Sequence, residues 1–305
     1  NAGNCLISRF CLGMSIIDST TIGLKIYTTS LGYRVQIILM GFRDIKRTKG
    51  EKMKDWFTIE QIDENTFSIS EYRHWEESHN YLLIGETSSL LIDTGLGIEN
   101  IQEQVAKLTD KPIIAVATHI HWDHIGGHKY FPNFYAHEEE INWLNGEFPL
   151  TMEQIKGFVV EDCDLPERFD VEQYEFFQGM LTKILRDRDA IDIGGRHIEV
   201  LHSPGHSPRH MCFYEKERGY LFTGDLVYIG TLFAYYPSTD PVSYLKSLQK
   251  VAALPVKKVF PAHHDLNVPD TILTDMEKAF LEIKAKGELH HGSGTHDYGY
   301  FSVWL

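Results

Sequence analysis

Between Thr118 and His128 the chain reads Thr-His-Ile-His-Trp-Asp-His-Ile-Gly-Gly-His. His119, His121, Asp123 and His124 lie within six residues. Imidazole nitrogens and a carboxylate suit a borderline divalent cation such as zinc, and the run holds no thiolate that would favour a closed structural site. In extended backbone His119 and His121 point the same way and can share one ion. Asp123 and His124 come after a turn and can face a second ion beside the first. Gly126-Gly127 then lets the following backbone approach the site closely.

Three further groups of the same chemistry stand where short apolar runs end. His206 lies in Ser203-Pro204-Gly205-His206-Ser207, Asp225 in Phe222-Thr223-Gly224-Asp225, and His263 in Val259-Phe260-Pro261-Ala262-His263-His264. A lone His or Asp at a strand end is usually a cap or turn residue. Together, four strand ends deliver five His and two Asp, enough for two ions sharing a bridging carboxylate.

The elements that must position these groups can be read from periodicity. Phe57–Ile62 and Thr66–Glu71 read as strands joined at Asp63-Glu64-Asn65, and Tyr81–Ile84 and Leu90–Ile92 as a hairpin. Apolar residues at Ile98, Ile101, Val105 and Leu108 have helical spacing. Ile113–Ala117, His197–Leu201, His210–Tyr214, Gly219–Thr223 and Lys257–Phe260 read as strands. Pro241–Leu254 and Pro269–Lys286 read as helices with Pro near their starts. The class is α/β, with strand ends feeding polar loops.

Composition bounds the rest. The chain has 305 residues, 43% of them hydrophobic, with 29 Lys+Arg, 43 Asp+Glu and a net charge of −14. Such an acidic chain is a poor ligand for a phosphate backbone, so no nucleic-acid partner is expected. No apolar run is long enough for a membrane span, and four cysteines at positions 5, 11, 163 and 212 make no disulfide framework. The first fifty residues carry seven basic side chains against Asp18 and Asp44. Residues 1–52 are therefore expected to be an N-terminal extension of unknown role, and 53–305 a hydrolase domain with a helical insertion over 138–190. No clean cleavage site follows the Phe10–Ile17 apolar patch, so a cytoplasmic location is expected. The oligomeric state stays open, a homodimer included.

The His-x-His-x-Asp-His run, the Gly-His, the Gly-Asp and the final His, preceded by Leu91-Ile92-Asp93-Thr94-Gly95, resemble the metallo-β-lactamase superfamily over roughly Trp56 to Leu266. The resemblance implies an αββα sandwich, two mixed sheets with helices outside. It implies that His119, His121 and His206 hold one metal, that Asp123, His124 and His263 hold the other, and that Asp225 bridges them. The cofactor implied is two zinc ions per chain, with iron or manganese as alternatives. Asp93 resembles the family's residue behind the metal loop, whose physical task is to orient a ligand His through its second nitrogen. The last motif reads Pro-Ala-His-His rather than Pro-Gly-His-Gly, so His264 is the alternative to His263. Asp225 stands where zinc-dependent β-lactamases of the commonest type have Cys, so β-lactam hydrolysis is not the expected task. Ile92–Gly97, Ala115–His119 and Phe222–Tyr228 are similar to a thioesterase-like branch acting on acyl-CoA.

The expected function is that of a dinuclear zinc hydrolase, in which a metal-bridging hydroxide cleaves a thioester, lactone or related acyl ester of a small-molecule substrate. Asp123 is the expected proton carrier. The alternatives are a phosphodiesterase on the same fold and a mononuclear iron persulfide dioxygenase. Tyr228, Phe233 and Tyr236, leading away from Asp225, are candidate substrate contacts, and Arg209 could face an anionic leaving group. Aromatics of the insertion, among them Trp143, Phe148 and Phe158, read as core packing or as a lid. His74, His79 and Asn80 are placed at the mouth, and the His290, His291, His296 cluster in a surface tail.

Overall fold

The central strands are short runs buried on both faces, and a pleated strand sends alternate side chains to opposite faces. The computed structural model describes residues 55–137, 141–175 and 179–305. The expected extension 1–52, with Cys5 and Cys11, lies outside the described residues, as do Phe176 and Phe177. A seven-stranded sheet runs in sequence order through β1 (Thr58–Asp63), β2 (Thr66–Ser70), β3 (His79–Ile84), β4 (Ser89–Ile92), β5 (Ile113–Val116), β6 (Phe134–His137) and β7 (Lys183–Leu185). The first four strands pair antiparallel and the rest are parallel.

The second sheet starts at β8 (Ala190–Asp192), β9 (His197–His202), β10 (Met211–Glu215) and β11 (Tyr220–Gly224). The chain then leaves through β12 (Gly230–Phe233) and returns at β13 (Lys258–Pro261), parallel to β11. A third, small sheet sets β12 beside the C-terminal β14 (Thr295–Asp297) and β15 (Phe301–Trp304), in the order β12-β15-β14. The apolar C-terminal run thus packs back as a strand of its own sheet.

Period two explains the layers. Tyr81, Leu83, Leu90 and Ile92 of the first sheet meet Ile198, Val200, Met211, Phe213, Phe222 and Phe260 of the second in one core. Leu82 and Leu91 point the other way, onto Ile101 and Val105 of α1 (Ile101–Leu108). The four-residue α2 (Trp122–Ile125) carries part of the metal-rich run, and α3 (Met152–Val160) adds Ile155 and Val159 to the same layer. On the far side, Cys212 and Tyr214 pack with Tyr244, Leu248 and Val251 of α4 (Pro241–Ala252) and with Ile272, Met276 and Phe280 of α5 (Ile272–Ala285). Helices therefore cover both outer faces of two stacked sheets, as expected. Each fully buried side chain of this kind contributes about 1.5–3 kcal/mol.

Among its described residues the 138–190 segment mixes helix and strand. It contains α3, capped by a reciprocal Thr151–Gln154 box, but also β7, which extends the first sheet, and Ala190 opens β8. Three-residue strands leave no readable period. None of the helices among the described residues is long and apolar enough to cross a membrane.

Candidate metal centre

Parallel pairing of β4 with β5 brings their C-terminal ends together. There Asp93, at φ 60°, accepts the Thr118 N–H at 2.7 Å and the Thr118 hydroxyl at 2.9 Å. This fixes where the His119–His124 run leaves the sheet. His121 occupies the N-terminal cap position of α2, and Ile125 N–H donates to its carbonyl. That single turn swings Asp123 and His124 beside His119 and His121.

The other ligands arrive on loops braced from behind. Gly205 sits at φ 148°, and a Cβ there would meet the backbone of Tyr244 at 2.4 Å. Only glycine lets the His206 loop lie this close to α4. The Tyr244 hydroxyl contacts the carbonyls of Asp225 and Leu226, both at 2.8 Å. The Asp225 N–H donates to Nε2 of buried His210 at 3.1 Å. His263 follows β13 and donates from Nδ1 to the Glu76 carbonyl at 2.9 Å.

All seven side chains converge. His119 Nε2 lies 2.9 Å from His121 Nδ1, which lies 3.2 Å from His206 Nε2. His124 Nε2 is 3.3 Å from Asp123 Oδ2, and His263 Nε2 is 3.5 Å from the same oxygen. Asp225 stands between the two groups. Its Oδ2 is 3.3 Å from His206 Nε2, while its Oδ1 is 3.1 Å from both His124 Nε2 and His263 Nε2. Three overlapping triads have their donor atoms within 4.8 Å of one another: His119, His121 and His206; His119, His124 and Asp225; Asp123, His124 and His263.

The donor set fits cations. His124 Nε2 and Asp225 Oδ1 are buried without a hydrogen bond of acceptable geometry, although they lie 3.1 Å apart. Buried polar atoms are normally paired, and lone pairs converging in this way find a partner in a metal ion. Charge is arranged to match at three of the five imidazoles. Burial, with neighbouring imidazoles, holds His119 well below the usual imidazole range and His121 down to about 3. Burial lowers His206 as well. These three offer neutral lone pairs at pH 7. For His124 and His263 burial acts the same way, but the surrounding carboxylates outweigh it and push both up, His263 to about 10. Burial works against ionising Asp123 and Asp225, yet the adjacent imidazoles keep both carboxyls low.

The other candidate residues take varied places around the cluster. His263 faces the cluster, whereas His264, at φ 63°, turns towards Glu77 at 3.5 Å. His74, His79 and Asn80 do not line a mouth, for all three are buried. His79 bridges the Ser70 hydroxyl and the His264 carbonyl, at 2.8 and 2.7 Å. His74 contacts the Phe158 carbonyl at 3.1 Å, and Asn80 donates to the Ile69 carbonyl. Tyr228 lies with its ring 5.6 Å from that of His263. Phe233 and Tyr236 pack with each other beside the small sheet, where Phe233 also meets Tyr235 and Trp304. Arg209 is half-buried and donates to the Pro208 carbonyl. On the other flank Trp143 stacks on His121 at 5.7 Å and 15°, with Phe148 edge-on at 5.9 Å. His291 contacts Thr239 and His296 lies near Glu288.

Sequence reasoning missed His210 and Glu76. His210 was visible only as a strand residue, and its partner is a backbone N–H that no motif encodes. Glu76 carries no signal, because its neighbour His263 comes 187 residues later.

Known proteins resemble the chain in sequence and in fold. The family model for the metallo-beta-lactamase superfamily matches residues 74–263. The acyl-coenzyme A thioesterase MBLAC2 of Homo sapiens is 30% identical over 228 residues, covering 68% of this chain and 81% of that protein. Its Gallus gallus counterpart is 29% identical over 230 residues, covering 70% and 82%. The solved metallo-beta-lactamase from Pontibacter korlensis superposes with a TM-score of 0.57 at 18% identity, over 74% of this chain and 99% of that one, which is a likeness of fold. The chain belongs to the metallo-beta-lactamase superfamily, as a metal-dependent hydrolase.

Proposed function

We propose that the chain is a dinuclear zinc hydrolase that cleaves thioesters of the acyl-coenzyme A kind. The observation that carries this reading is Asp225, whose two oxygens face two separate groups of donors. His119, His121 and His206 would hold one ion, and Asp123, His124 and His263 the other. Bound zinc would supply a Lewis acid and a hydroxide at neutral pH, because it lowers the pKa of water from 15.7 to about 7.

The chain's own residues do the rest. The oxygen added to the thioester carbon displaces the thiolate as the carbon–sulfur bond breaks, and one proton must pass from the nucleophile to the leaving sulfur. Asp123 is ionised, buried and within 3.5 Å of both His124 and His263, so it is suited to carry that proton. Asp93 and the Glu76 carbonyl hold His124 and His263 by their far nitrogens. Trp143 and Phe148 beside His121, and Tyr228 beside His263, give the site apolar flanks for an acyl chain. The relatives named as acyl-coenzyme A thioesterases support this substrate class over other esters.

The test is metal content measured beside hydrolysis of acyl-coenzyme A, lactone, phosphodiester and β-lactam substrates. Two zincs per chain and chelator-sensitive thioester cleavage are expected. One iron per chain with oxygen consumption, or preferred cleavage of phosphodiesters, would overturn the reading.

A further inference from the structure

Asp225 reaches the two donor groups from a tight turn, and side chains close that turn from behind. Gly224 sits at φ 50°, and a Cβ there would lie 2.5 Å from Nε2 of His210, so the imidazole lies directly against the turn. His210 is wholly buried. Its Nε2 accepts the Asp225 N–H at 3.1 Å, and its Nδ1 lies 3.0 Å from the Ser203 hydroxyl. That hydroxyl lies 3.2 Å from Sγ of Cys212, which lies 3.6 Å from the Thr223 carbonyl.

The two ends of this relay fix its direction. A backbone N–H can only donate, and a carbonyl can only accept. Nε2 of His210 is therefore the bare nitrogen, and Nδ1 carries the proton and donates it to Ser203. The Ser203 hydroxyl then donates to Cys212, and the thiol donates to the Thr223 carbonyl. The relay starts at Asp225 and ends at Thr223, enclosing Gly224. His210 also stands where other ligand-bearing segments meet. Its carbonyl accepts the Ser203 N–H at 2.8 Å, closing the loop that carries His206. The next N–H, that of Met211, donates to the Thr118 carbonyl at 2.8 Å, one residue before His119.

We infer that His210 is a positioning residue for the bridging carboxylate, its Nε2 holding the Asp225 backbone so that one carboxylate oxygen faces each donor group. This rests on the dinuclear reading above. Asp225 faces both groups, so loosening it weakens both ions together, whereas loss of a ligand from one group weakens one. Partners that orient metal-binding residues are typically worth about 10- to 100-fold in affinity.

The experiment titrates zinc into the metal-free full chain against a chromophoric chelator, below the melting temperature of every variant. Side-chain reach separates the two contacts of His210. The Gln amide oxygen stands as many bonds from Cα as Nε2 of His, and the Asn oxygen as many as Nδ1. His210→Gln therefore keeps an acceptor for the Asp225 N–H, while His210→Asn keeps only the Ser203 contact. Ile283→Ala is the control: it opens a cavity beneath α5, where Ile283 is fully buried, and lowers the melting temperature without touching a ligand. Wild type takes two ions. His210→Asn weakens both steps about 10- to 100-fold, His210→Gln recovers most of the loss, and Ile283→Ala binds zinc as wild type does. Unchanged steps in His210→Asn would overturn the inference. So would equal losses in His210→Asn and His210→Gln, or a weakening in Ile283→Ala that matches His210→Asn, the mark of general loosening. A wild-type chain that takes one ion would instead overturn the dinuclear reading, and the contrast between His210→Asn and His210→Gln at that ion would still decide the role of His210.

Discussion

Nδ1 of His124 lies 3.0 Å from Oδ2 of Asp93, a residue 31 positions earlier in the chain. The contact makes Nδ1 the protonated nitrogen and leaves Nε2 facing Asp123 and Asp225. The same carboxylate accepts two buried donors of Thr118, so Asp93 serves both the fold and the site. Asp93→Ala strands those donors, at a cost of about 1–3 kcal/mol for a buried unpaired group. It also frees the His124 ring, lowering zinc affinity about 10- to 100-fold. Urea unfolding of the metal-free protein reads the first effect and zinc titration the second. Unchanged values in both would show that Asp93 is a plain turn carboxylate.

A second prediction concerns space rather than charge. Gly126 has ordinary helical φ, but a Cβ there would lie 2.3 Å from the carbonyl carbon and oxygen of Leu96 and 2.5 Å from the Gly97 nitrogen. Those atoms are backbone and cannot swing aside. The Gly126 N–H also donates to the Gly95 carbonyl at 2.8 Å, tying the two loops together. Gly126→Ala should destabilise the chain by about 1–3 kcal/mol or more and spoil metal binding, because α2 must shift. A thermal melt with wild-type midpoint would contradict this packing.

Much of the site was legible in the sequence because metal chemistry restricts residue type. His119, His121, Asp123 and His124 are crowded into one run, and His206, Asp225 and His263 each follow a readable strand. The sheets were legible where strands are short apolar runs bounded by turn residues, as in β3, β4 and β10, which are buried on both faces. Legibility failed where identity depends on partners distant in sequence. The sequence places His79 and His74 at the mouth, yet burial and hydrogen bonds to carbonyls make them braces for the His263 loop and α3. Phe233 and Tyr236 follow Asp225 in sequence, but β12 carries them to the small sheet, whereas Trp143, from the insertion, stacks on His121. Neither fact is encoded in local spacing.

The buried imidazoles set a pH dependence for the metal-free protein. His74 is held down to about 4, His79 and His121 to about 3, and His119, His206 and His210 are also lowered, burial being the first cause in each. The unfolded chain takes up protons at these positions as pH falls through about 6.5, while the folded chain does not. Their effect is therefore a loss of stability below pH 6.5. Raised groups act oppositely. His263 favours the fold below 6.5 and loses that contribution as pH rises through about 10. Glu71, pushed up by burial to about 7, loses its contribution as pH rises through 7. The lowered imidazoles outnumber the raised groups, so denaturant midpoints should fall steadily from pH 6.5 towards 4. A flat profile across that range would mean the cluster is solvated rather than buried.

The last prediction separates Asp123 as proton carrier from Asp123 as ligand. Its Oδ2 is within 3.5 Å of both His124 and His263, and the side chain is almost wholly enclosed. Asparagine has the same shape and can still present an oxygen to a cation, but its amide cannot take up and return a proton. Asp123→Asn should therefore reach the same fold, with a lower metal-free melting temperature because the buried imidazoles of His124 and His263 lose a pairing carboxylate. At a zinc concentration where analysis finds two ions per chain, kcat for thioester cleavage should fall by about 10²- to 10⁴-fold, the range that one acid–base group contributes. If kcat stays near the wild-type value with both ions bound, the proton moves by another route. If one ion is lost at every zinc concentration, Asp123 is needed as a ligand, and the proton-carrying role must be sought in a second variant that retains both ions.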